Sequence, residues 1–410
     1  MAYIKMISHI STSDSDGGSA ISAKRIHEKL LSKGYKSTLF VGDKKIVKDD
    51  ICHLTNSPYL RKVDRFVDIL LNKIGFQYSL IPSNFNYNKK IFNSSIIQLY
   101  NIHGGYFQLS RLIELSKLAK IIWRLSDYWS MTGHCAYPDK CENWKKICTN
   151  CPDLKTYPSI GIDNTKNIWK RKKRIIQTID IDIVVPTIKL LGHVKESPIL
   201  KDKRVHLIPN GVNTNFFKPY DKKIARSELN IPNKFSILFI SHVAYNNYRK
   251  GTHILEKVMD KFRNNNNIQF LIAGIHSSKW TNRGYKNLIT FDYNNNLEWK
   301  KKLYNSSDLI MIPSINENLP NVLLESMSCG VPSISNSSGG VNECVNKENG
   351  ILVENSDIKG FTDNISKLFR DKLALKRLKE NSRKTILKKY SETKEVNSYI
   401  KLYEDVKNRT

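Results

Sequence analysis

Short apolar runs alternate along the chain with longer stretches whose apolar positions recur at helical spacing. The run from Tyr3 to Ile10 predicts a strand, the turn SDSDGG follows it, and helical spacing then runs from Ser19 to Leu31 and stops at Gly34. Strand-like runs recur at Thr38 to Val41, Ile96 to Leu99, Ile121 to Leu125 and Ile181 to Val185. Leu109, Leu112, Ile113 and Leu118 mark a helix between two of them. A second series begins near Val205 with HLIPNGV and continues at Ile237 to Ile240, Ile268 to Ala273, Leu309 to Ile312, Pro332 to Ile334 and Ile351 to Val353. Helical stretches around His253 to Arg263, Leu297 to Asn305 and Val322 to Ser328 separate its members. Strands alternating with helices are the signature of parallel α/β sheets, so the pattern predicts two doubly wound, Rossmann-like domains. Their bounds are read as residues 1–190, with a cysteine-rich insertion near 134–152, and residues 205–385. Charged helices from Asp357 to about Lys389 and a last helix near Glu395 to Val406 close the chain, residues 386–410 forming a C-terminal helix placed to cross back to the first domain.

The stretch INENLPNVLLESMSCGVP, from Ile315 to Pro332, carries the most chemistry. It follows the buried strand expected over Leu309 to Ile312. Pro320 suits a first helical turn, where its missing N–H is no loss, and Gly330 suits a helix stop. Glu317 therefore falls in a loop and Glu325 on the helix. A helix N-terminus at the carboxyl end of a parallel strand favours an anion. Glu317 is placed there to accept hydrogen bonds from sugar hydroxyls and Glu325 from the two hydroxyls of a ribose. By spacing alone, a solvent-facing loop acid at Glu317 and a helix-dipole or salt-bridge acid at Glu325 are the better account, since such pairs are frequent by chance.

The longer segment PSINENLPNVLLESMSCGVPSISNSSGGVNECVNKENGILV resembles the donor-binding segment of the retaining glycosyltransferases of family four, the glycogen-synthase-like members of the GT-B superfamily. HLIPNGVNTNFFKP, His206 to Pro219, is similar to another hallmark of that family. The resemblance implies two Rossmann-like domains facing across a cleft, the first on the acceptor side and the second binding a nucleotide sugar. It also implies donor contacts from Glu317 and Glu325 and from the backbone N–H groups of Asn318, Leu319, Asn321 and Val322. In ISHVAYNNYRKGTHIL, Lys250 matches the family's lysine, while His242 stands where relatives carry an arginine and Arg249 lies beside the lysine. A cation there would neutralise charge on a departing diphosphate. Gly17 and Gly18 match in place the family's N-terminal glycine loop, and the neighbouring acids Asp14 and Asp16 are read as loop residues. Relatives carry His-Asp where this chain has Ser126 and Asp127, which leaves His103, Asp127 and His134 as the remaining catalytic candidates, a buried structural histidine being the competing reading for each.

Cys135, Cys141, Cys148 and Cys151 form C-x5-C-x6-C-x2-C. Four thiolates in so short a span suit a tetrahedral structural zinc, against the alternative of four reduced thiols in a folded insertion. TGHCAY with its trailing cysteines resembles a subgroup of these transferases associated with surface polysaccharide assembly. No cofactor is expected for the chemistry itself.

Charge widens the field of partners. The chain has 66 Lys and Arg against 38 Asp and Glu, a net +28. Scattered lysines, with no RNA-binding aromatic signature, fit phosphate-bearing substrates and peripheral contact with an anionic membrane better than nucleic acid. An odd cysteine count of seven and no apolar run of membrane-spanning length place the protein in the cytoplasm, at most against the inner face of the membrane. The expected activity is retaining transfer of a hexose-type sugar from a nucleotide donor to a glycan or lipid-linked glycan of a bacterial surface polysaccharide: O-antigen, capsule or exopolysaccharide. The alternatives are a nucleotide-sugar epimerase or hydrolase of the same fold, a basic nucleic-acid-binding protein, and a catalytically inactive scaffold.

Overall fold

The computed structural model describes residues 6–55, 58–77 and 88–409. These residues divide into two units, residues 1–209 with 395–410, and residues 210–394. Of the first expected strand, Tyr3 to Lys5 lie outside the described residues.

In unit 1 the strands are β1 (Ile7–Ser13), β2 (Ser37–Asp43), β3 (Ile51–His53), β4 (Ile96–Leu99), β5 (Lys120–Arg124), β6 (Ile181–Val185) and β7 (Arg204–Leu207). All pair in parallel, in the order β3-β2-β1-β4-β5-β6-β7. Its helices are α1 (Gly18–Ser32), α2 (Pro58–Lys73), α3 (Arg111–Leu118), α4 (Thr165–Gln177) and α5 (Ile188–Glu196). Side chains alternate across the sheet: Ile97 and Leu99 enter one core with Ile10 and Trp123, while Ile96 enters the other with Ile7 and Leu30. Burial on both faces explains why these strands read as continuous apolar runs.

Unit 2 repeats the plan. Its helices are α6 (Lys222–Glu228), α7 (Thr252–Lys261), α8 (Leu297–Asn305), α9 (Asn321–Ser328), α10 (Val341–Cys344), α11 (Ile358–Arg370) and α12 (Lys372–Lys389). Its strands β8 (Phe235–Val243), β9 (Ile268–Ile275), β10 (Leu288–Phe291), β11 (Leu309–Ile312), β12 (Ser333–Asn336) and β13 (Gly350–Val353) lie in the order β10-β9-β8-β11-β12-β13. Ile237 and Phe239 face one core and Leu238 the other. The strand order reverses between β8 and β11, the position where open α/β sheets hold ligands. Asp308, at the foot of β11, accepts from Ser236 N–H at 3.0 Å and Arg226 Nη2 at 3.0 Å and pairs with Lys222, tying α6 to the sheet.

One reading of the sequence needs correcting. HLIPNGV does not open the second series: Arg204–Leu207 is the edge strand of the first sheet, in register with β6 from Asp182↔Arg204 to Val185↔Leu207. The charged helices expected over 357–389 are two, α11 and α12, parted where Asp371 leaves the helix and caps α12 with a hydrogen bond from Ala374 N–H at 2.8 Å. The last helix, α13 (Glu392–Lys407), returns to unit 1 as expected. Val396, Tyr399, Leu402 and Tyr403 join the core around Ile7, Glu395 pairs with Arg25 at 2.9 Å, and Tyr403 donates to Gln98.

Candidate functional site

In unit 2 the loops that leave β8 and β11 meet at the reversal of strand order. Gly251 starts α7 with φ +72°, and a side chain there would place its first carbon 2.0 Å from the Pro313 carbonyl oxygen. Only glycine lets the start of α7 press against the exit of β11. Ile315 N–H then donates to Arg249 O at 2.9 Å, stitching the two loops together.

This brings three of the expected residues into contact. Glu317 is 8% exposed, and its Oε1 accepts from Lys250 Nζ and from Arg249 Nη1, the latter at 3.3 Å. Burial works to raise its pKa, but the charges of Lys250 and Arg249 outweigh it and hold the carboxyl below its ordinary value. The result is an ionised acid between two cations, with one positive charge in excess. The His242 ring meets the Tyr293 ring edge-on at 4.7 Å, at the ends of β8 and β10.

Behind Glu317 the backbone is fixed from three directions. Gly339, at φ +54°, leaves no room for a side chain, whose first carbon would fall 1.6 Å from Glu317 O. Gly340 N–H donates to Asn318 O at 2.7 Å and Asn210 Nδ2 to Leu319 O at 2.9 Å. Pro320 sits at the cap position with extended backbone, and α9 begins at Asn321 and Val322. Leu323, Leu324 and Met327 anchor α9 in the core beside Leu303 and Ile310, each fully buried leucine contributing about 2 kcal/mol. Glu325, 6% exposed, is thereby held under the helix, and its Oε2 accepts from the Tyr304 hydroxyl at 2.7 Å. Asn210 and Tyr304 were not singled out from the sequence. Asn210 lies inside a quoted motif and was within reach, whereas nothing near Tyr304 in sequence points 21 residues ahead to Glu325.

In unit 1, His103 and Asp127 leave the carboxyl ends of the adjacent strands β4 and β5 and meet, His103 Nε2 to Asp127 Oδ2 at 3.0 Å, both buried. Asp127 Oδ1 accepts from Trp129 N–H at 2.9 Å, so the carboxylate orients the imidazole while being held itself. The Tyr157 hydroxyl approaches His103 Nδ1 at 3.5 Å. Ser126 bonds to Arg124 and Ser19. Gly17, at φ +88°, precedes α1 and faces open space, and Gly18 is its first residue. Asp14 is buried and accepts from Lys45 and Ile46 N–H at 2.8–3.1 Å, joining the loops after β1 and β2, a structural task.

His134 is not with His103. Its Nδ1–H donates to Pro158 O at 2.9 Å and its Nε2 faces Cys151 Sγ at 3.2 Å. Together with Cys135, Cys141, Cys148 and Cys151 it lines one cavity of about 20 Å³. All four thiols are free. Among the described residues no three His, Cys, Asp or Glu side chains already stand in a metal-ligating group.

Residues 221–385 match the family model described as glycosyl transferases group 1. This stretch is a group 1 glycosyltransferase domain. It contains Lys250, Arg249, Glu317 and Glu325, and it sets the enzyme class as glycosyltransferase. An Escherichia coli K12 protein bearing the name of a colanic acid biosynthesis glycosyl transferase, WcaC, is 22% identical over 365 residues, 84% of this chain and 86% of the relative. The UDP-Gal:alpha-D-GlcNAc-diphosphoundecaprenol alpha-1,3-galactosyltransferase of Escherichia coli is 32% identical over 114 residues, 27% of this chain and 29% of the relative. Among solved structures, sucrose-phosphate synthase of Thermosynechococcus elongatus covers 98% of this chain and 99% of its own, with TM-score 0.68 and 17% identity. Anabaena HepE in complex with UDP-glucose covers 98% and 99%, with TM-score 0.66 and 13% identity. These likenesses establish the fold of the glycosyltransferase as GT-B.

Proposed function

We propose that this glycosyltransferase moves a sugar, with retention of configuration, from a nucleotide donor to a hydroxyl of a glycan or lipid-linked glycan during surface polysaccharide assembly. The observation that carries the reading is the ionised Glu317 clamped by Lys250 and Arg249 beside the N-terminus of α9, with Glu325 buried one turn further on. An excess positive charge at a helix N-terminus suits a diphosphate, and acids on either side suit the hydroxyls of its sugar and its ribose. As the bond between sugar and phosphate breaks, Lys250, Arg249 and the helix dipole would stabilise the charge gained by the departing diphosphate. No residue is assigned as a nucleophile on the reacting face, so the acceptor hydroxyl attacks from the side the diphosphate leaves and passes its proton to the departing phosphate oxygen. Anabaena HepE was solved with UDP-glucose, and the galactosyltransferase relative carries a diphosphoundecaprenol acceptor in its name; both support the substrate classes proposed here.

A lipid-linked acceptor fits a second feature. On α2 and just beyond it, Phe66, Ile69, Leu70 and Ile74 are exposed at helical spacing, with Lys62, Arg65 and Lys73 exposed among them. An apolar stripe with basic residues suits the surface of an anionic bilayer. No helix among the described residues is long and apolar enough to cross a membrane.

The test is an assay of the full chain with UDP-, GDP- and ADP-sugars and a lipid-linked acceptor, reading nucleotide release and the anomeric configuration of the product by NMR. Release that depends on acceptor, with the donor's configuration kept, is expected. Release without acceptor, or an inverted product, would overturn the proposal.

A further inference from the structure

The cysteine-rich segment of unit 1 is not used by the reaction proposed above, yet it is built around a point. Cys135, Cys141, Cys148, Cys151 and His134 enclose the same cavity of about 20 Å³, close to the space one small ion or water fills. Two of the five are already held by donors or acceptors of the kind that orient metal ligands and their neighbours. Gly133 N–H donates to Cys148 Sγ at 3.1 Å, and His134 is fixed by its bond to Pro158 O. The strand of chain at Cys151 is fixed too, by its N–H to Asp163 Oδ2 at 2.8 Å.

A second observation comes from the other side of the segment. Lys172, on α4, is 2% exposed, and its ammonium donates to Trp129 O at 2.6 Å and Thr132 O at 3.2 Å and stands 3.6 Å from the centre of the Trp129 ring. No carboxylate forms an ion pair with it among the described residues, although Cys135, Cys148 and Asp127 lie near enough to act on its charge. Burial among carbonyls alone lowers its pKa to about 7, a cost to the charged form. Anionic sulfur close by would offset it.

We infer that Cys135, Cys141, Cys148 and Cys151 bind one zinc ion as thiolates, with Lys172 balancing part of the charge. Binding releases the four thiol protons, and Zn²⁺ with four thiolates carries a net charge of two negative. Four soft sulfur ligands and a tetrahedral set select zinc over magnesium or calcium. The thiols turn inward about their Cα–Cβ bonds to reach it, since they do not yet form a ligating group. The ion would lock residues 127–151, the segment that also carries the Asp127 carboxylate held against His103. This assignment is independent of the donor chemistry in unit 2.

The experiment uses the full chain, purified in reducing buffer without a histidine tag. Plasma mass spectrometry is expected to find one zinc per chain, released into a chromogenic chelator when a mercurial titrates the thiols. Cobalt exchanged into the site should give a thiolate charge-transfer band with tetrahedral absorption. Cys141→Ser and Cys151→Ser should lose the metal while Cys52→Ser, outside the cluster, keeps it. If the cysteine variants fail to fold, the native chain still decides. A native chain that holds no metal when prepared with zinc and shows no cobalt–thiolate band overturns the inference, as does a folded Cys141→Ser/Cys151→Ser chain that retains its zinc.

Discussion

Replacing Glu317 by glutamine tests the charge arithmetic of the proposed donor site directly. The substitution keeps size and one hydrogen-bond acceptor but removes the negative charge that Lys250 and Arg249 share at Oε1. The cluster then carries two uncompensated positive charges instead of one. The cations are 21% and 32% exposed, so leaving them unpaired costs folding about 1–3 kcal/mol, below the range for fully buried pairs. A phosphate seated on the far side of Lys250 would lie about two hydrogen-bond lengths, roughly 6 Å, from the lost charge. At an effective dielectric constant of about 20–40 the removed repulsion is about 1–3 kcal/mol, so a nucleoside diphosphate should bind about tenfold tighter or more. Transfer should move the opposite way, falling at least about a hundredfold in kcat/KM, because the sugar loses an acceptor for its hydroxyls and Lys250 loses the anchor that aims it. Calorimetric titration with the diphosphate that the native chain prefers, beside a transfer assay and a thermal melt to show folding, reads both arms. A folded variant that binds the diphosphate more weakly, or transfers within threefold of the native rate, refutes the assignment.

Tyr304→Phe removes the donor to buried Glu325 Oε2, and is expected to raise the donor KM about tenfold and to lower the thermal midpoint by a few degrees, since leaving a buried acceptor without its partner costs about 1–3 kcal/mol. Gly251→Ala forces a methyl carbon to within 2.0 Å of Pro313 O. The two loops must part, and denaturant titration should show a loss of about 2–4 kcal/mol together with loss of nucleotide binding. Asp127→Asn, in unit 1, keeps the fold but no longer holds the His103 imidazole by a carboxylate, so kcat should fall about tenfold or more while donor affinity measured by calorimetry is unchanged. Asp182 gives a stability signal separate from function. It is buried on β6, accepts from His206 at 2.6 Å, Arg204 and Arg409, and has a pKa lowered to about 2 despite the opposing effect of burial. Because the folded value lies below the unfolded value of about 3.9, its contribution of about 2 kcal/mol is present above pH 4 and lost as pH falls from about 4 to 2. Urea titrations at pH 7 and pH 3 should show about half of that difference, about 1 kcal/mol, in the native chain, reduced in Asp182→Asn.

The residues that could be read in advance are those whose information is local. Continuous apolar character marks β11, and Pro320 and Gly330 bracket α9 within a residue, because turn and cap preferences act over a few positions. What pairs with what is not local. Arg204–Leu207 reads as a strand but nothing in four residues states which sheet it joins, and register with Asp182–Val185 decided it. The bond from Asn210 to Leu319 spans 109 residues, and the Lys250–Glu317 pair spans 67. Neither has a sequence signature of its own. His103 and Asp127 could be nominated separately as residues leaving strand ends, but their contact depends on β4 and β5 being neighbours in the sheet. The helix α2 went unread although Phe66, Ile69 and Leu70 recur at helical spacing; what spacing does not show is that these three are exposed while Leu71 is buried.

The two family signatures, HLIPNGVNTNFFKP and the segment around Glu317, are parts of one device. Asn210 lies in the first and holds Leu319 O, while Gly340 in the second holds Asn318 O. A trans peptide is planar, with its N–H opposed to its C=O. Fixing Asn318 O therefore aims Leu319 N–H away from Gly340, and the absence of a side chain on Gly339 is what allows that approach. The amide direction at Leu319 is then set by Gly339 and Gly340, while Asn210 fixes the next peptide plane, between Leu319 and Pro320; none of the three needs to touch a ligand. Such a site gains its anion preference from backbone held in advance rather than from side chains that reorganise, which is the condition under which buried dipoles stabilise developing charge most. It follows that sequence around Glu317 can vary widely in side chain while Asn210, Gly339 and Gly340 carry the geometry on which the two acids depend.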